Sequence, residues 1–187
     1  MNMLVTGGAG FIGRWVVKKL LNEGHSVTAL DNLSNGRLEN IEEFKNNSNF
    51  KFIGGDIRDE NKLDEVFKEK FDIVYHLAAS INVQDSIDDP KATFFNDTVG
   101  TFNILERAKI QMFGRNGNMD GDGWVLDANE DTYPCKVVFT STCMVYDVSV
   151  QEGIDEKHPV NPVSPYGGSR IAAENMVLSY YNAYKLP

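Results

Sequence analysis

Apolar positions along this chain fall into short runs that alternate with longer stretches of helical spacing. "MLVTG" is a brief apolar run that passes straight into glycines. "FIGRWVVKKLLNEG" follows, with Ile12, Val16, Leu20 and Leu21 at helical spacing and Gly24 as the stop. "SVTALD" has the character of a buried strand and ends at Asp31; "NFKFIGGD", "FDIVYHLAA" and "KVVFTST" read as further strands. Between them, "DENKLDEVFKEK" places Leu63, Val66 and Phe67 on one face of an amphipathic helix. Pro90 opens a long helix predicted to run through about Lys109. Ser164 and Pro165 supply the N-cap and first turn of a last helix, through about Lys185. Strands alternating with helices predict an α/β fold with a doubly wound parallel sheet. The rhythm breaks at residues 111–135, rich in Gly, Asn and Asp, where a long polar surface excursion is expected.

Size and charge narrow the picture. The 187 residues suit one domain, 1–187, with a real core. A net charge of -9 argues against nucleic acid or an anionic membrane as the main partner, although backbone dipoles can still hold a phosphate. Cys135 and Cys143 form no disulfide framework and suit a reducing cytosol. The first residues are too glycine-rich for a signal peptide, and no apolar run approaches a membrane span, so a cytoplasmic location is expected. Asn118, Asp120, Asp122 and Gly123 begin like a calcium loop, but the twelfth position is Asn129 and Glu130 comes one residue late. No His/Cys cluster has ligand spacing either, so no metal is expected.

Candidate chemistry begins at the first strand. Gly8, Gly10 and Gly13 make G-x-G-x-x-G, with Gly7 in front. The motif leaves a strand, enters a helix and is followed by an acidic residue at the end of the next strand. Such glycines permit a tight turn and close approach of a pyrophosphate, and the helix N-terminus offers N–H groups and a positive dipole end. Asp31 stands where a carboxylate accepts from the ribose hydroxyls and repels a 2′-phosphate, which favours NAD over NADP. Asp56 ends the third strand, where the adenine is expected. Leu77, Ala78 and Ala79 end the fourth and let the cofactor pass close to the backbone; His76 beside them reads as packed rather than catalytic.

Tyr166 and Arg170, four residues apart, share one face of the last helix. "TSTCMVYD", Thr140 to Asp147, brings hydroxyls to the same sheet edge. A hydroxyl donor, a tyrosine and a cation around a nicotinamide make a hydride-transfer site. Lowering a tyrosine from about 10 to about 7 takes roughly 4 kcal/mol, and a unit charge at about 4 Å supplies that order at an effective dielectric near 20.

The set "TGGAGFIG", "DNLSNG", "GDIRD", "HLAA", "SPYGGSR" and the N-x-x-x-G-T of Asn96 to Thr101 resembles the extended short-chain dehydrogenase/reductases. The nearest branch is the NAD-dependent nucleotide-sugar epimerases and dehydratases, of the UDP-glucose 4-epimerase type. The resemblance implies a Rossmann fold with bound NAD, and chemistry at sugar C4 through a transient keto intermediate. It implies cofactor contacts from Gly7, Gly10, Phe11, Ile12 and Gly13, from Asp31 and Asn32, from Asp56 and Ile57, and from Leu77, Ala78, Ala79 and Asn96. Thr142 matches the catalytic Ser/Thr, Tyr166 the proton-exchanging tyrosine, and Arg170 the usual lysine; the last two also face the cofactor.

Arginine keeps the charge of that lysine but not its compact shape. Dehydratases carry Asp-Glu after the catalytic Thr, where this chain has Cys143 and Met144, so the epimerase reading ranks above the dehydratase one. The chain stops where the next strand of such a protein would begin, which implies the cofactor half without the usual C-terminal substrate domain. The readings carried forward are an epimerase-like protein, truncated and of weakened activity, a non-catalytic NAD-binding module, and a related dehydratase or reductase. The expected partners are a UDP-sugar and a second copy of the chain, paired through the helices after Pro90 and Ser164.

Overall fold

A computed structural model describes residues 1–116, 118–120, 123–125, 131–148 and 153–187. Five strands form the main sheet: β1 (Asn2–Thr6), β2 (Ser26–Asp31), β3 (Phe50–Gly54), β4 (Ile73–His76) and, after a separate hairpin, β7 (Lys136–Phe139). All pair in parallel, in the order β3-β2-β1-β4-β7. Chain order reverses direction between β1 and β4, so the carboxyl ends of those strands open a crevice, where open α/β sheets bind ligands. This is a Rossmann-type fold.

Alternate side chains along a strand face opposite layers, and both layers here are apolar. Met3 and Val5 of β1, with Val27 and Ala29 of β2, pack with Val17 and Leu20 of helix α1 (Phe11–Asn22) and with Phe44. On the other face, Leu4, Leu30 and Val74 pack with Leu63 and Val66 of α2 (Glu60–Val66), and with Ile104 and Leu105. Tyr180 of the last helix joins that second layer. Burial of each such Val or Leu contributes about 1.5–3 kcal/mol, and the continuous apolar strands of the sequence find their reason here.

The helix expected after Pro90 is longer and less regular than its spacing suggests. A short α3 (Val83–Asp88) precedes it, then α4 (Pro90–Phe94) runs through a π-helical turn at Phe95–Val99 into α5 (Gly100–Phe113). Asp89 caps α4, its side chain accepting from the Ala92 N–H at 2.9 Å. Gly100 is pressed on Ile57: a Cβ there would meet its Cδ1 at 2.4 Å. The last helix, α6 (Pro165–Tyr184), starts as expected, with the Ser164 hydroxyl accepting from the Gly167 N–H at 3.2 Å.

Part of the excursion forms an antiparallel hairpin, β5 (Asn118–Asp120) with β6 (Gly123–Val125), where a loop is expected. Asp122, Asn129 and Glu130 of the calcium-loop comparison lie outside the described residues. At the outer edge of β7 the Val137 N–H donates to the Pro187 carbonyl at 2.7 Å. No helix among the described residues is long and apolar enough to cross a membrane.

Candidate functional site

At the crevice, the loop after β1 is built on contacts that only glycine allows. Gly7 has φ +70°, and a Cβ on it would stand 2.9 Å from the Ala78 nitrogen of the chain leaving β4. A Cβ on Gly13 would fall 2.0 Å from the Gly7 carbonyl oxygen. The turn and the start of α1 therefore nest into each other. Helix α1 has no side-chain cap and no acid in its first turn, so its N-terminal amides and dipole face the crevice uncompensated.

The crevice is a cavity of about 410 Å³, lined by the glycine turn, the ends of β2 and β4, and the start of α6. Gly7, Gly10, Phe11, Ile12 and Gly13 line its end at the glycine turn; Asp31, Asn32, Ile57, Leu77, Ala78, Ala79, Asn96, Tyr166 and Arg170 line the rest. Of the expected cofactor contacts, Asp56 alone is not in the lining. Its carboxylate is engaged by Arg58 at 2.6 and 2.9 Å and by Asn32 at 2.9 Å. The Arg58 hydrogen bond draws its pKa down to about 2.

Asp31 is 7% exposed. Its Oδ2 accepts from the Ala9 N–H at 3.0 Å and its Oδ1 from the Leu33 N–H at 2.8 Å. A carboxylate has about four acceptor positions, so lone pairs remain for two hydroxyls. Gly36 backs the group: a Cβ there would lie 2.8 Å from both oxygens. Ser34, Asn35 and Gly36 line the cavity too, and the loop motif after Asp31 is the sequence signal for them.

His76 is 1% exposed and lies outside the lining. Its Nδ1 is 2.7 Å from Thr6 Oγ1 and its Nε2 3.0 Å from Thr101 Oγ1. Burial, and then the Arg170 charge, push its pKa down to about 3, so it is neutral. The packed reading of this residue agrees with that geometry.

Tyr166 and Arg170 rise from the first turns of α6 into the far end of the cavity. Arg170 is 2% exposed, with its guanidinium carbon 4.6 Å from the Phe139 ring centroid. Its Nη2 donates to the Thr140 carbonyl, while Nε and Nη1 have no partner. Burial lowers its pKa from the usual arginine value, against the pull of Asp97, Tyr166 and Glu174. Thr140 and Ser141 complete this end of the lining, and the buried Ser141 hydroxyl is unpartnered. Thr142 stands just outside; its Oγ1 accepts from the Met144 N–H at 3.3 Å and keeps its own proton to donate.

The donor set fits a dinucleotide. Open amides and a glycine cradle suit a pyrophosphate, a backed carboxylate suits a ribose, and buried donors without partners await acceptors. Among the described residues no group of three or more His, Cys, Asp or Glu could hold a metal ion.

Comparison with known proteins agrees with this geometry. A family model described as GDP-mannose 4,6 dehydratase matches residues 4–187. The UDP-glucose 4-epimerase of Mycolicibacterium smegmatis is 36% identical over 187 residues, 100% of this chain and 53% of that protein. The X-ray structure of Pal from Bacillus thuringiensis superposes with a TM-score of 0.85 at 54% identity, covering 100% of this chain and 54% of that one. The UDP-glucose 4-epimerase of Thermus thermophilus, solved in complex with NAD, gives 0.79 at 32% identity over 100% of this chain and 52% of that one. The chain thus spans about half the length of these relatives. On sequence, fold and site together, the chain belongs to the NAD-dependent nucleotide-sugar epimerase and dehydratase family of the extended short-chain dehydrogenase/reductases.

Proposed function

We propose that this chain binds NAD and carries the proton-exchange half of an enzyme acting at C4 of a nucleotide sugar, in the manner of an epimerase. The observation that carries the reading is one cavity shared by the glycine turn, Asp31, Tyr166 and Arg170. When bound, NAD supplies the hydride acceptor and donor. Tyr166 takes the proton of the sugar hydroxyl and returns it after the keto sugar has turned its other face. Arg170 favours the phenolate by its charge. Ser141 or Thr142 hydrogen-bonds the reacting oxygen, Thr142 by family position and Ser141 by its place in the lining. Asp31 favours NAD over NADP. Cys143 and Met144 are poor proton shuttles, which supports epimerisation over dehydration.

Exposed apolar side chains also support pairing with a second copy. Phe94, Phe95 and Phe102 on the α4–α5 helix, and Leu178 and Tyr181 on α6, are each at least 39% exposed.

The test is NAD-saturated protein incubated with UDP-glucose deuterated at C4, with products separated by chromatography. The expected product is UDP-galactose, formed slowly, and absent with Tyr166→Phe. A 4-keto-6-deoxy sugar would favour the dehydratase reading. NAD binding without any deuterium transfer would favour a non-catalytic module.

A further inference from the structure

The π-helical turn carries an acidic residue that the proposed chemistry does not use. Asp97 is fully buried. Its Oδ1 accepts from the Ser80 N–H at 2.6 Å and from Asn96 Nδ2 at 3.0 Å, and its Oδ2 has no partner. Facing it is α6, where Arg170 holds two partnerless donors. The elements are pinned together next door: Thr98 Oγ1 donates to the Ser169 carbonyl at 3.0 Å. Each residue of that bond adjoins one of the two charges. A buried cation and a buried anion, each left half-satisfied on facing elements, attract one another across the protein interior. The partner also suits the residue it faces. A guanidinium has five donors in a fixed fork, so more of its hydrogens are left over in a buried site than a lysine would leave.

We propose that Asp97 is the counter-charge and positioning residue of Arg170, fixing the guanidinium beside Tyr166 and offsetting its charge at the nicotinamide end of the cavity. Asp97 lies outside the cavity lining and acts through Arg170. Burial raises the pKa of Asp97 and lowers that of Arg170, and the charge of each opposes the shift in the other. The carboxylate enters the active end of the site as a fixed negative potential, without touching a ligand.

The inference rests on the proposed cofactor site, so its test reads folding and cofactor binding separately. A double-mutant cycle uses Asp97→Asn, which keeps the acceptor for Ser80, and Arg170→Met, in urea unfolding. Each single substitution strands a buried charge and is expected to raise the unfolding constant about 100-fold. The double is expected to lie at least tenfold below the product of the singles. Effects that multiply within about twofold would overturn the pairing, whether or not NAD binds. If the singles do not fold, a folded double supports the pair and an unfolded double overturns it. The second readout is the ratio of the dissociation constants of NAD and NADH. Removing the carboxylate leaves Arg170 unopposed and penalises the positive ring of the oxidised form. Asp97→Asn is therefore expected to raise the ratio of NAD to NADH constants of the order of tenfold, for one unit charge in a protein interior. A role in packing alone would weaken both forms equally and leave the ratio unchanged, which would also overturn the proposal.

Discussion

Acid should unfold this protein through His76, and the size of the effect follows from its hydrogen bonds. Thr101 Oγ1 donates to the Asp97 carbonyl at 2.5 Å, so it can only accept from the histidine. Nε2 therefore carries the ring proton, and Nδ1 accepts from Thr6. Thr6 Oγ1 in turn accepts from the Leu77 and Ala78 N–H groups, both at 3.2 Å. A second ring proton would face a hydroxyl already donating to that nitrogen, inside the core and toward the Arg170 charge. The folded ring titrates at about 3 and the unfolded one at 6.5. Between those values the unfolded chain binds more protons, so stability falls as pH falls. At about 1.4 kcal/mol per pH unit, this one ring removes roughly 2 kcal/mol from pH 7 to pH 5, and about 4–5 kcal/mol once pH reaches its folded value. The assay is urea unfolding at pH 7, 6 and 5 for the natural chain and for His76→Gln. Subtracting the two profiles cancels the other titrating groups. The natural chain should lose roughly 2 kcal/mol more than the variant across that range. Parallel profiles would refute a neutral, fully desolvated His76.

Two further outcomes follow from the geometry. Asp31→Ala should weaken NAD by about tenfold or more while leaving NADP nearly unchanged, since it removes an acceptor and a repulsion together; calorimetric titration of both cofactors measures it. The aromatic face of α4, α5 and α6 should give a dimer at tens of micromolar by sedimentation velocity, and Phe95→Glu should return it to monomer; a monomeric natural chain would contradict that use of the surface.

Most of the fold was legible because its strands are buried on both faces. "SVTALD" and "FDIVYHLAA" carry little alternation, and only a parallel sheet with two covered faces needs such strands. The glycine turn and Asp31 were legible because steric demands select the residue type, as the 2.0 Å approach at Gly13 illustrates. Tyr166 and Arg170 were legible from a spacing of four. The π-helical turn was not. Helical periodicity carries no mark of one extra residue in a turn, and what accompanies it is tertiary contact, with Gly100 against Ile57 and Thr98 on Ser169. Asp97 was hidden for the same reason, since an aspartate among polar neighbours reads as solvated until α6 covers it. The paired strands at 118–120 and 123–125 were also hidden, because Gly, Asn and Asp mark a turn and a loop alike. Ser141 and Thr142 are adjacent hydroxyls, and only the cavity distinguishes their places.

The proposed dinucleotide lies along this crevice, with Asp31 choosing its ribose. The most direct measurement is the nucleotide released when the purified, NAD-exposed protein is denatured and its supernatant resolved by chromatography. NAD or NADH is expected in near one-to-one ratio with the chain, with most of it lost in Asp31→Ala. Release of NADP in its place, or of no nucleotide after saturation, would contradict it.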